Sequence, residues 1–118
     1  MKNKTNYQLV ARMSGKCLTI TPSLRDDIAR QYDMTIASLC AMPRTEDVAM
    51  RIAKEMERKG DFLWGCDAEI AALRCYISAI EVLRECRRAH HSIEALRAKA
   101  LRLAESDEHL KGFVQQFC

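Results

Sequence analysis

The sequence has few of the residues that interrupt regular structure. Its 118 residues include two prolines and four glycines, and aromatic residues make up 6%. So little proline and glycine excludes collagen-like and low-complexity chains, and 48% hydrophobic residues is too many for disorder. No apolar run is long enough to cross a bilayer, and the lysines of the opening MKNKTNYQLVARMSGK have no continuous apolar stretch behind them. A cytoplasmic location without a membrane partner is therefore expected. The six cysteines, Cys17, Cys40, Cys66, Cys75, Cys86 and Cys118, form no C-x-x-C pair. With no secretory signal, they are expected to be mostly small buried hydrophobes rather than a disulfide framework.

What is present is a chain of one-domain length, dense in Ala, Leu, Arg, Glu and Met, which favours helix. The expected fold is all-α, a bundle of four to six helices in a single domain over 1–118. It divides into an N-terminal segment 1–22, a helix-turn-helix-like region 23–60 and C-terminal helices 61–118. Within YQLVARMSGKCLTIT, a short hairpin turning at Ser14-Gly15 and a first helix through YQLVARM are both open readings. Thr21-Pro22-Ser23 signals a helix start, with Leu24, Ile28 and Tyr32 on one stripe. A second short helix capped by Thr35 ends before Pro43. A third starts at Thr45, carries Val48, Ile52 and Met56 inward, and stops before Gly60. Beyond it, Ile70, Leu73, Ile77 and Ile80 keep a heptad rhythm within 67–88 that fails at Arg84 and Arg87. Ser92 is expected to cap a helix burying Ile93, Leu96, Ala100 and Leu103. Ser106 is expected to cap a last one carrying Leu110, Phe113, Val114 and Phe117.

The most specific local pattern is IARQYDMTIASL. With Ile28 at the fourth position of a helix-turn-helix template, the small Ala29 falls on the fifth and Asp33, tolerant of positive φ, on the ninth. Tyr32, Met34, Leu39 and Met42 then take the apolar positions. In that reading duplex DNA is the partner: Arg25, Arg30 and Arg44 hold phosphates while Thr35 and Ser38 lie near base edges. The outward face of the second helix is otherwise poor in base-reading residues, and the same pattern also suits a packed helical corner. A basic patch is expected from Arg84, Arg87, Arg88, Arg97, Lys99 and Arg102, fit for phosphate or an acidic protein surface. A solvated helix face is its plainer reading.

The formal net charge of +3 permits nucleic acid or an acidic partner without demanding either. Cys86 and His90 have the i, i+4 spacing of two metal ligands, but no second pair completes a site, so no metal is expected. With no glycine-rich phosphate loop and no nucleophile beside a base, neither catalytic residues nor a cofactor or small-molecule substrate is expected.

From Ala53, AKEMERKGDFLWGCDAEIAALRCYISAIEVLRECRRAHH resembles the small enterobacterial transcription regulators of the PerC and AggR-activated-regulator type. Gly60 and Phe62 stand at that family's Gly-x-aromatic turn, and Arg88 and Ala89 at its later Arg-Ala. Its middle-helix tryptophan and closing cysteine have no counterpart, Glu69 and His91 standing roughly there. The resemblance covers about a third of the chain. It implies a virulence or mobile-element regulator acting on DNA or on another transcription regulator.

Two functions are thus expected from the sequence. The first is a transcription-associated regulator on duplex DNA, with the C-terminal helices forming a homodimer. The second is a non-enzymatic protein-binding adaptor or chaperone with an exposed helical groove, for which Leu110, Phe113 and Phe117 form a docking edge.

Overall fold

The computed structural model describes residues 9–13 and 16–117, with side chains from Ile20 to Phe117. Strands β1 (Leu9–Met13) and β2 (Lys16–Ile20) pair antiparallel, Leu9 opposite Ile20 and Met13 opposite Lys16, and β1 lies beside the second helix. The turn expected at Ser14-Gly15 falls outside the described residues. Five helices follow among the described residues, so the fold is an all-α bundle.

Helix α1 (Pro22–Cys40) starts where Thr21 accepts a hydrogen bond from the Leu24 N–H at 3.1 Å, with Pro22 at the first position. It then runs unbroken through Asp33 and Met34, so the corner expected there does not form. The sequence 28–42 offers the corner no glycine, and each helical hydrogen bond kept across Asp33 outweighs a cost of bending that nothing else repays. None of its side chains is fully buried; Ile28 and Tyr32 rest half-buried against the core.

Helix α2 (Glu46–Gly65) is capped by Thr45, whose hydroxyl accepts from the Val48 N–H at 3.2 Å, and Glu46 and Asp47 sit in its positively polarised first turn. It does not stop before Gly60. A Cβ there would lie 2.7 Å from Cε1 of Tyr76 and 3.2 Å from the Ala72 carbonyl oxygen. Gly60 therefore serves close helix–helix approach rather than termination, and both Gly60 and Phe62 lie inside the helix instead of in a turn. The reversal comes at Asp67 (φ 63°), the non-glycine residue with positive φ among those described.

Helix α3 (Glu69–Leu83) turns back along α2, which Ala72 and Tyr76 meet at Gly60, and buries Ala72, Leu73, Tyr76, Ile77, Ala79, Ile80 and Leu83 between its neighbours. Ile70, expected on the buried stripe, is 60% exposed, and the small Ala72 and Ala79 are buried instead. The helix ends at Leu83 rather than continuing to Arg88, and Arg84, Arg87 and Arg88 lie in the following loop, which is anchored by buried Cys86 and Ala89. Helix α4 (His90–Leu103) begins two residues before Ser92 and buries Leu96, Ala100 and Leu103, with Ile93 half-buried. Helix α5 (Glu108–Phe117) is capped by Asp107 rather than Ser106, the Asp107 carboxylate accepting from the His109 and Leu110 N–H groups. Only Val114 of α5 is buried.

Candidate protein-docking surfaces

The five residues expected to grip DNA do not form one surface. Arg25, Arg30, Thr35 and Ser38 lie on one straight helix, where successive residues turn by ~100°, so Arg25 and Arg30 project ~140° apart. The Thr35 hydroxyl donates to the Gln31 carbonyl oxygen within α1. Arg25 pairs with Asp26 at 3.1 Å and Arg30 with Asp27 at 2.9 Å, while Arg44 reaches across to Glu85 at 2.8 Å. These exposed pairs are individually weak. What disperses the set is the continuous backbone of α1, because a recognition helix needs the missing corner to point away from its neighbour.

The expected basic patch also divides. Arg87 and Arg88 turn toward Glu46 at the start of α2: the Arg87 N–H donates to its carboxylate at 3.2 Å, and the Arg88 guanidinium stands 4.0 Å away. Arg84 donates to the Phe117 carbonyl oxygen at 3.5 Å, a cation at the C-terminus of α5. Arg97 pairs with Glu94 one turn earlier, and Arg102 lies by Glu105 and Lys111 in a shallow depression between α4 and α5.

Lys99 leaves the patch altogether. Its ammonium donates to Glu57 at 2.6 Å and to Asp61 at 3.0 Å, both on α2, and lies 5.6 Å from the centre of the Tyr76 ring. The Tyr76 hydroxyl donates to the same Asp61 carboxylate at 2.6 Å. Burial would push the Lys99 pKa down, but the hydrogen bonds to Glu57 and Asp61 hold it above the ordinary lysine value. The Tyr76 phenol is pushed far up, first by burial and then by the Asp61 carboxylate it bonds to. This knot ties α2, α3 and α4 together and keeps its charges satisfied.

Between α2 and α4, both of which lean on α3, a cleft of about 330 Å³ remains open. Met50, Ala53, Leu83 and Leu96 give it an apolar floor, with Arg51, Lys54, Glu57 and Ser92 around it. Glu57 at its edge pairs with Lys99 of α4 at 2.6 Å. A second cleft, between α1 and α2, is lined by Thr35, Leu39, Arg51, Lys54, Glu55 and Arg58. Arg51 and Lys54 line both, so the outer face of α2 is a basic ridge. Lys54 faces Glu57 at 3.6 Å and Arg58 pairs with Glu55 at 2.6 Å, whereas Arg51 has no ion-pair partner among the described residues. The i, i+3, i+7 spacing of Arg51, Lys54 and Arg58 is the sequence signal of this ridge, fainter than the denser run of cations in 84–102 because Glu55 and Glu57 interrupt it.

On α5 the rings of Phe113 and Phe117 lie against each other, centroids 4.6 Å apart, and remain 40% and 44% exposed, with Leu110 half-buried beside them. They do not close the core. Cys66 and Cys86 are buried, Cys75 is half-buried, and burial raises all three thiol pKa values, which suppresses the reactive thiolate; Cys40 is exposed. The side chain of Cys17 and all of Cys118 lie outside the described residues. Cys86 sits in the loop before α4, so it does not share a helix with His90, and no group of three or more potential ligands occurs among the described residues. Nor is any helix among them long and apolar enough to cross a membrane. No family model, curated protein or solved structure matches the chain.

Proposed function

We propose that the chain is a non-enzymatic, cytoplasmic protein-binding adaptor that engages its partner through the Leu110, Phe113 and Phe117 edge of α5. The observation that carries this reading is the exposed pair of phenylalanine rings, in tilted contact with each other, on a helix that buries only Val114. Burying a phenylalanine stabilises by about 1.5–3 kcal/mol, so two rings offer a partner a strong apolar anchor that the chain's own core leaves unused. Exposed neighbours Gln115 and Gln116 supply a polar rim. The test is affinity capture from the native host's extract with the wild type and with the double variant Phe113→Ser/Phe117→Ser. Loss of a specific captured protein, with the thermal midpoint unchanged, is the expected result. Equal capture by the double variant would overturn the reading.

A transcription-associated regulator on duplex DNA is the second reading, supported by the ridge of Arg51, Lys54 and Arg58. It relocates the phosphate contacts from α1 to α2. Fluorescence anisotropy with random duplex DNA at low and near-physiological salt tests it. Steeply salt-dependent binding, with the salt slope reduced by roughly 2 in Arg51→Glu/Arg58→Glu, is expected if the ridge contacts phosphates. Absence of binding even at low salt removes it.

A further inference from the structure

We propose that the Phe113 and Phe117 edge of α5 docks into the α2–α4 cleft of a second copy of this chain, giving a reciprocal, two-fold dimer. The proposal rests on the docking-edge reading above and names its occupant surface. Three observations meet in it. The cleft floor, Met50, Ala53, Leu83 and Leu96, is apolar and open, and its volume of about 330 Å³ is on the scale of side chains, so it accepts inserted rings rather than a whole helix. The α5 edge presents two adjacent rings and no charged group between them. Arg51 and Lys54 stand on the cleft rim, Arg51 without an ion-pair partner among the described residues, and a cation over an aromatic face is attracted by the ring's negative quadrupole. The rings of one chain thus meet an apolar floor and the Arg51 guanidinium in the other, while Glu57 on the same rim is already held by Lys54 and Lys99.

A single chain leaves both halves unsatisfied, since Phe113 and Phe117 do not line its own cleft and Met50 is exposed. Exchange between two copies covers two edges and two clefts with one kind of contact, as two-fold symmetry requires.

The test is sedimentation velocity on the full chain from low to high micromolar concentration, under reducing conditions. The wild type should shift from monomer to dimer. Phe113→Ser/Phe117→Ser and Met50→Glu should each weaken dimerisation roughly tenfold or more. Met50→Glu places a carboxylate at an already exposed position, so folding is retained and its thermal midpoint serves as the control. A wild type that stays monomeric at the highest concentration overturns the proposal. So does a Met50→Glu variant that dimerises like the wild type, which would instead mean ring stacking between two α5 helices. A monomeric wild type whose double phenylalanine variant still loses a captured partner removes the dimer and leaves the docking edge intact. Undiminished capture by the double variant removes the docking edge itself.

Discussion

Gly60 and Gly112 both sit inside helices, and their surroundings oppose each other. A methyl at Gly60 would strike the Tyr76 ring and the Ala72 backbone, while a methyl at Gly112 would meet nothing within 4 Å. Gly60→Ala should therefore destabilise by about 1–3 kcal/mol, because a ring and a backbone cannot both give way. Gly112→Ala should stabilise α5 by about 0.5–1 kcal/mol through lost backbone freedom in the unfolded chain. Urea midpoints at constant slope measure both, and equal signs would contradict the packing described. At Tyr76 and Lys99 the folded state raises the pKa in each case above the ordinary values of 10.0 and 10.5. A raised folded pKa adds stability that is complete below the unfolded pKa and lost as pH rises toward the folded one. Stability should hold near neutral pH and fall above about pH 9, first as the thiols of Cys66, Cys75 and Cys86 ionise in the unfolded chain and then through Tyr76 and Lys99. The later part should be shallower in Tyr76→Phe, as thermal melts between about pH 8 and pH 11 would record. Near neutral pH, Tyr76→Phe should also cost about 1–2 kcal/mol for the lost bond to Asp61.

At the scale of elements, the two threonine caps do the same chemistry for helices of different importance. Thr45 starts α2, which buries Val48, Ala49, Ile52, Ala53, Gly60, Phe62 and Leu63, so Thr45→Ala should lower global stability by about 1 kcal/mol. Thr21 starts α1, which buries no side chain, so Thr21→Ala should fray that helix and move the global transition much less. Denaturation midpoints of the two variants decide this. The boundaries legible beforehand were those set by local chemistry: Thr21-Pro22 and Thr45 supply a capping oxygen whatever the fold. Those misjudged were the break at Asp33, the stop at Gly60 and the Ser92 and Ser106 caps. Each carries a residue that tolerates an end, and only the packing beyond decides whether an end occurs there.

Across the whole molecule, stability is concentrated in the α2–α3 pair, which meets at Gly60, Ala72 and Tyr76, and thins outward to α1 and α5. Amide exchange should therefore be slowest in α2 and α3 and much faster in α1, held chiefly by half-buried Ile28 and Tyr32 and by the exposed Asp33 to Lys59 ion pair at 2.6 Å. Exchange in α1 as slow as in α3 would show that α1 belongs to the same cooperative unit. The exposed phenylalanine edge of α5 lies on this periphery, whereas the basic ridge and the α2–α4 cleft are carried by the stable helix α2.

The sequence by itself determined the helical class, the capped starts of α1 and α2, the buried faces at Leu73, Ile77, Ile80, Leu96, Ala100 and Leu103, and the aromatic i, i+4 pair on the last helix. These follow from hydrogen bonds and periodicities that act within a few residues. Only the tertiary structure decided that α1 is straight, that Ile70 is outside while Ala72 and Ala79 are inside, and that Lys99 answers α2 instead of joining a basic patch. It also left Phe113 and Phe117 in solvent. The reason is that charge partners and burial are settled by residues about 40 positions away, such as Lys99 with Glu57 and Arg44 with Glu85, whose approach no local spacing encodes.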